Sequence, residues 1–191
     1  MNAYTLKLEP LFQLDLSKFY QFCCQNPDLK FERNAQGEII ILSPTGGETG
    51  KTNFNLALKI GIWNERTKLG VCFDSSTCFR LPNGAERSPD VSWVAQSRWD
   101  KLTLEEKTKF PPLAPDFVLE LMSPSDRLKD TQEKMKEYRS NGVKLGWLIN
   151  PKQGQVEIYR LGKQKQVLNH PKSLSGENIL PGFVLDLKII W

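Results

Sequence analysis

The sequence predicts an α/β fold, a sheet buried beneath helices, and three adjoining stretches carry the prediction. Phe117–Met122 is apolar on both faces except for Glu120, the pattern of a strand covered on both sides. A helix follows to about Ser140, with Leu128, Thr131, Met135 and Tyr138 along one stripe and Asn141-Gly142 as its stop. Val143–Asn150 is then a second buried strand, closed by a tight turn at Pro151–Gly154.

Composition sets the bounds. With 39% hydrophobic and 25% charged residues among 191, the chain has the make-up of one globular domain with a sizeable core. A net charge of +4 permits nucleic-acid binding without demanding it. No apolar run reaches membrane-spanning length and the first residues lack a signal-peptide core, so a cytoplasmic location is expected. Cys23, Cys24, Cys72 and Cys78 have neither zinc-ribbon nor redox spacing and read as reduced, mostly buried thiols. The single histidine, His170, lies in a polar loop, which excludes histidine-rich zinc sites and HNH-type nuclease sites. Metal chemistry here must use carboxylates, which favours magnesium or manganese.

Taken in order, residues 11–25 read as a short helix with Leu16, Phe19, Phe22 and Cys23 on one face. Phe31–Arg33 and Glu38–Leu42 form a hairpin across Asn34–Gly37. The glycine-rich loop Ser43–Thr52 leads into a helix to about Lys68, supported by apolar residues at 54, 58, 62 and 69, with 56 and 60 nearby. Val71–Leu81 is an extended strand or strand pair. After a polar turn at residues 81–86, Arg87–Val94 opens a further strand with Asp90 at its start. Gln155–Arg160 pairs with the strand before it, and residues 166–191 form further short strands or a final hairpin. The five tryptophans read as core or interface rather than base-stacking platforms.

Glycines before Gly50-Lys51-Thr52 resemble a phosphate-binding P-loop, and Phe117–Glu120 could pass for its acidic strand. That loop needs its first glycine at position 45, which is Thr45, so nucleotide binding is a minor alternative.

The acids point elsewhere. An ionised Glu120 in an apolar strand must be paired, protonated or metal-bound, so it marks either a buried ion pair or a functional site. Asp90 stands on what would be a neighbouring strand, where two carboxylates can approach within about 5 Å and share one magnesium. Asp116 lies four residues from Glu120 on the same strand, roughly 13 Å away, too far to share a metal, and reads as a strand-entry cap. Asp126 or Asp130 could cap the following helix, on which Lys134 lies nearest the buried stripe. Lys134 either snorkels or sets its ammonium beside Glu120.

Pro89-Asp90, Glu120 within "VLELMSPSD", Lys134 within "EKMKEY", "NGVKLGWLINP", "GEIIILSPTGGETG" and "LPGFVLDL" together resemble the Uma-two endonuclease-like family, restriction-endonuclease-like proteins of the PD-(D/E)XK nuclease superfamily. The resemblance covers roughly residues 30–190. It implies a mixed central sheet flanked by helices, a single nuclease-like domain over 1–191, with 1–29 as a helical extension and 30–191 as the core. It also implies a metal-dependent endonuclease acting on nucleic acid, with DNA the expected substrate and a homodimer compatible. Magnesium or manganese would be held by Asp90, Glu120 and the backbone carbonyl of Leu121, with Lys134 orienting water or stabilising the transition state. The superfamily lysine two places after Glu120 is replaced by Met122, and Lys134 takes its part from the next helix. Ser123 and Gln132 would support the site. For the superfamily's acid on its first helix, Glu48 and Glu32 are the secondary candidates. The alternative is a catalytically silent nucleic-acid-binding or interaction domain on the same fold.

Overall fold

The computed structural model describes residues 3–8 and 14–191; residues 11–13 of the expected first helix lie outside them. Two sheets share the work. The smaller is antiparallel, built from β1 (Ala3–Leu6), β2 (Lys30–Arg33), β3 (Ile39–Leu42), β5 (Phe79–Arg80) and β6 (Glu86–Arg87) in the order β1-β3-β2-β6-β5. The stretch before residue 30 therefore contributes an edge strand as well as helix α1 (Leu16–Gln25), whose Phe19 packs on Phe31 and Ile39.

The central sheet is mixed. Its order is β11-β10-β9-β8-β7-β4, with β4 (Gly70–Asp74), β7 (Val91–Ala95), β8 (Phe117–Leu121), β9 (Leu145–Asn150), β10 (Gln155–Arg160) and β11 (Gln166–Asn169). β7 runs antiparallel to β8, while β8 and β9 are parallel. A parallel pair needs a long crossover, and helix α5 (Leu128–Ser140) supplies it, as the strand-helix-strand pattern required. Two short helices, α3 (Gln96–Trp99) and α4 (Leu104–Thr108), connect β7 to β8.

The alternation along β8 decides what covers each face. Val118 and Met122 face α5, where Met135 and Tyr138 are fully buried against them and against Leu148 and Tyr159. Phe117, Leu119 and Leu121 face helix α2 (Gly47–Thr67) and the C-terminal hairpin of β12 (Ser173–Ser175) and β13 (Val184–Asp186). Each such fully buried side chain contributes about 1.5–3 kcal/mol of transfer free energy. No helix among the described residues is long and apolar enough to cross a membrane.

Four local expectations differ from the structure. The buried face of α2 is Leu56, Ile60 and Trp63, whereas Phe54, Leu58, Ile62 and Leu69 are exposed. Neither Asp126 nor Asp130 caps α5: Arg127 is the N-cap residue, and Asp126 Oδ2 accepts the Ser123 N–H at 2.7 Å. The four cysteines are free, but only Cys78 is buried and Cys24 is exposed. Asp116 is more than a cap, as its buried carboxylate accepts the Ala95 N–H and pairs with Arg98 and Lys144.

The glycine-rich loop follows β3, a strand of the small antiparallel sheet, and α2 begins at Gly47. Gly50 N–H bonds Gly46 O at 3.0 Å within the helix, and exposed Lys51 pairs with Glu48. The Gly50 amide is therefore used inside the helix, and the Lys51 ammonium is held by Glu48 on the exposed surface.

Candidate functional site

The two sheets meet at Ser88-Pro89-Asp90, where the chain leaves β6 and enters β7. Val91 pairs with Leu119, so Asp90 and Glu120 are set side by side at adjoining strand positions. Asp90 Oδ2 accepts the Leu121 N–H at 2.7 Å and Oδ1 accepts from Asn53 Nδ2 of α2 at 3.1 Å. In a strand the N–H and C=O of one residue face the same edge, so the Leu121 carbonyl is turned towards Asp90 as well.

Lys134 reaches this point from α5. Its Nζ is 2.8 Å from Glu120 Oε1, 2.8 Å from Glu32 Oε1, and donates to Ser88 O at 3.3 Å. Met135 and Tyr138, buried against the sheet, lock the helix so that the lysine points inward. The Tyr138 hydroxyl donates to Glu120 Oε1 at 3.1 Å. Lys134 and Tyr138 thus bond the same oxygen of Glu120. Glu32 Oε1 also accepts the Ser88 N–H, and its Oε2 accepts from Arg87, which also bonds Glu137.

Charge is distributed unevenly among these three acids. Burial lifts the Glu120 carboxyl beyond what the Lys134 ammonium can pull back, with Asp90 and Glu32 adding repulsion, so it titrates at about 7. Burial raises Asp90 too, against the opposing pull of the Leu121 N–H and Lys134. Burial acts on Glu32 in the same sense, but Lys134 and Arg87 together overcome it and hold the carboxyl down at about 2. Lys134 stays firmly protonated, since its two carboxylates outweigh the effect of its burial. Lys134 and Arg87 thus leave the three carboxylates of the cluster one cation short.

The cleft over these residues has a volume of about 1120 Å³ and is lined by Asp90, Glu120, Leu121, Lys134 and Glu32 among others. A hard cation with oxygen ligands suits its donors: two under-compensated carboxylates, and the Asn53 Oδ1, which is buried next to Asp90 without a partner among the described residues. Among the described residues no group of three or more His, Cys, Asp or Glu side chains is arranged to hold a metal. The third acid present, Glu32, is committed to Lys134 and Arg87.

The remaining candidates divide. Glu32 lies on β2 rather than on a helix, yet sits at the centre of the network. Glu48 is exposed in the first turn of α2 and bonds Lys51. Gln132 points to Glu157 on β10, which Tyr159 and Lys165 also bond. Ser123 follows β8, with its hydroxyl 3.1 Å from that of Ser125. Asn53, Tyr138 and Arg87 escaped sequence reasoning. Tyr138 carried a signal, since it sits one helical turn beyond Lys134 on the buried stripe; Asn53 and Arg87 carried none.

Comparison with known proteins bears on this arrangement. Residues 16–188 match the family described as Uma2, "Putative restriction endonuclease". The chain is similar to a solved structure described as a putative nuclease belonging to DUF820 from Anabaena variabilis. The two share 20% identity over 84% of this chain and 88% of that chain, with a TM-score of 0.71. At that identity the likeness is one of fold, and it matches the restriction-endonuclease-like, mixed α/β architecture expected from the sequence. No curated protein matches the chain.

Proposed function

The chain belongs to the Uma2 family, and on that premise we propose that it is a metal-dependent endonuclease hydrolysing nucleic-acid phosphodiester bonds, with DNA the expected substrate. The observation that carries the reading is the convergence of Asp90, Glu120 and Lys134 from two strands and a helix at the floor of an open cleft. Asp90, Glu120 and the Leu121 carbonyl would hold magnesium or manganese, with Asn53 Oδ1 as a further oxygen donor. The ion would supply Lewis acidity towards water and the scissile phosphate.

The protein's own groups have definite parts in this reading. The Leu121 N–H and Asn53 fix the Asp90 carboxylate, and Tyr138 fixes Glu120, so neither rotates when substrate arrives. Lys134 presents a permanent positive charge to the phosphate and to water beside it, as transition-state stabilisation requires. Glu32 and the Ser88 carbonyl anchor that ammonium, and Arg87 in turn anchors Glu32. The chemistry needs no histidine, which suits a chain with one.

One observation favours a second reading. Lys134 already occupies one oxygen of Glu120 at 2.8 Å, and the described acids form no ready three-ligand cluster, as a catalytically silent nucleic-acid-binding domain would have it. Cleavage of supercoiled plasmid, single-stranded DNA and RNA, with magnesium or manganese against EDTA, separates the two. Metal-dependent cutting by wild type, lost in Asp90→Ala and in Lys134→Ala, supports the nuclease. An intact substrate in every lane, together with no calorimetric metal binding, leaves the silent domain.

A further inference from the structure

Helix α2 has a second apolar face, nearly opposite the one it buries. Phe54, Leu58 and Ile62 stand four residues apart on it and are 68%, 44% and 40% exposed. At about 100° per residue, Lys51 and Glu65, both exposed, fall on the same face, one turn before Phe54 and one turn after Ile62. Among the described residues Lys51 pairs only with exposed Glu48, and Glu65 makes no ion pair. The spacing from Lys51 through Phe54, Leu58 and Ile62 to Glu65 is three, four, four, three. The row is thus symmetric about Leu58, with opposite charges at its two ends.

We infer that the protein forms a two-fold dimer by packing α2 antiparallel against α2 of a second copy. A two-fold axis through Leu58 sets Leu58 on its own counterpart, Phe54 on Ile62 and Lys51 on Glu65, each of the last two pairs occurring twice. That self-complementarity is what an isologous interface requires. Gly61 borders the face, and a Cβ there would meet nothing within 4 Å, so the helices have room to approach closely. A polyanion is a poor fit, because the face is apolar in its middle and carries one charge of each sign at its ends. The paired segment is about 21 Å of helix, which places the contact at the small, reversible end of protein interfaces. The dimer is independent of the nuclease reading.

Sedimentation velocity over about 1–100 μM tests it, a range that brackets a micromolar dissociation constant. The wild-type mass should rise towards that of a dimer with concentration. Leu58→Asp should stay monomeric throughout, with an unchanged circular dichroism spectrum showing that it is folded. Lys51→Glu and Glu65→Lys should each weaken association by roughly tenfold, and the double exchange should restore it. Restoration distinguishes this pairing from any other use of an apolar patch. A wild-type monomer at every concentration, a dimer that survives Leu58→Asp, or a double exchange as weak as the single ones would overturn the inference.

Discussion

Glu120 should make the metal-free protein less stable as pH rises, and the size of the effect follows from its surroundings. Burial lifts its carboxyl from 4.5 to about 7, because the one ammonium in reach is divided between Glu120 and Glu32 while Asp90 and Glu32 add repulsion. Between these two values the folded protein retains a proton that the unfolded chain has lost. Unfolding free energy must then fall as pH increases across that interval. At about 1.4 kcal/mol for each tenfold change in protonation, the loss is about 3 kcal/mol by pH 8. Asp90, also raised by burial, acts in the same direction. Glu32 acts in the opposite one: held at about 2, its contribution is complete above its unfolded value and is lost only as pH falls towards 2, below this interval. Urea unfolding between about pH 5 and pH 8 in EDTA reads the difference; with a slope of about 2 kcal/mol per molar, the midpoint should fall by about 1.5 M. Glu120→Gln carries no charge at any pH and its oxygen can still accept from Lys134 and Tyr138. Its profile should be much flatter, and at pH 8 it should be the more stable protein. A wild-type midpoint that holds or rises from pH 5 to 8, or a glutamine variant with the wild-type slope, refutes the reasoning.

Further expectations concern neighbouring groups. Tyr138→Phe removes a hydrogen bond to a buried carboxylate and should cost about 1.5–3 kcal/mol at pH 8, where Glu120 is ionised; the loss should shrink in a Glu120→Gln background, read by the same urea titration. Magnesium at 10 mM should stabilise the protein by about 1.4 kcal/mol if it binds with a dissociation constant of roughly 1 mM, and Asp90→Asn should remove that gain in a thermal melt. Gly70→Ala should lose about 3 kcal/mol or more. A Cβ at that position would lie 2.2 Å from the Val94 carbonyl oxygen, which cannot withdraw without disturbing the β4–β7 pairing, and 2.5 Å from the Trp93 ring, whose indole N–H is held by Asn64. Equilibrium unfolding measures it, and a loss under about 1 kcal/mol would show that the edge strand is more pliable than its register implies.

How much of this was legible beforehand differs from element to element. The hairpin of β2 and β3, the strand-helix-strand unit of β8, α5 and β9, and the hairpin of β9 and β10 were readable because each is written in a local period and closed by a turn signal. The same periods placed Asp90 at a strand start, Glu120 within a buried strand and Lys134 at the edge of a buried helix face, but that these strands are neighbours was a supposition. Helix α2 shows where that legibility ends. Its rows Leu56, Ile60, Trp63 and Phe54, Leu58, Ile62 are both apolar, so periodicity finds the helix but cannot choose its buried side. Only the sheet it lies on makes that choice.

The sequence by itself determined the type and order of the main elements and the face on which each acid stands, since side-chain period is a property of neighbouring residues; the pairing of β7 with β8 that sets Asp90 beside Glu120 belongs to the tertiary structure. The tertiary structure decided the rest of the site. It brought Asn53 to Asp90 across 37 positions and Arg87 to Glu32 across 55, and it made Glu32, from a different sheet, share one ammonium with Glu120. It also set the charge state. A carboxylate's affinity for its proton depends on how deeply it is buried and on which ions surround it, and both are fixed by contacts between residues distant in the chain.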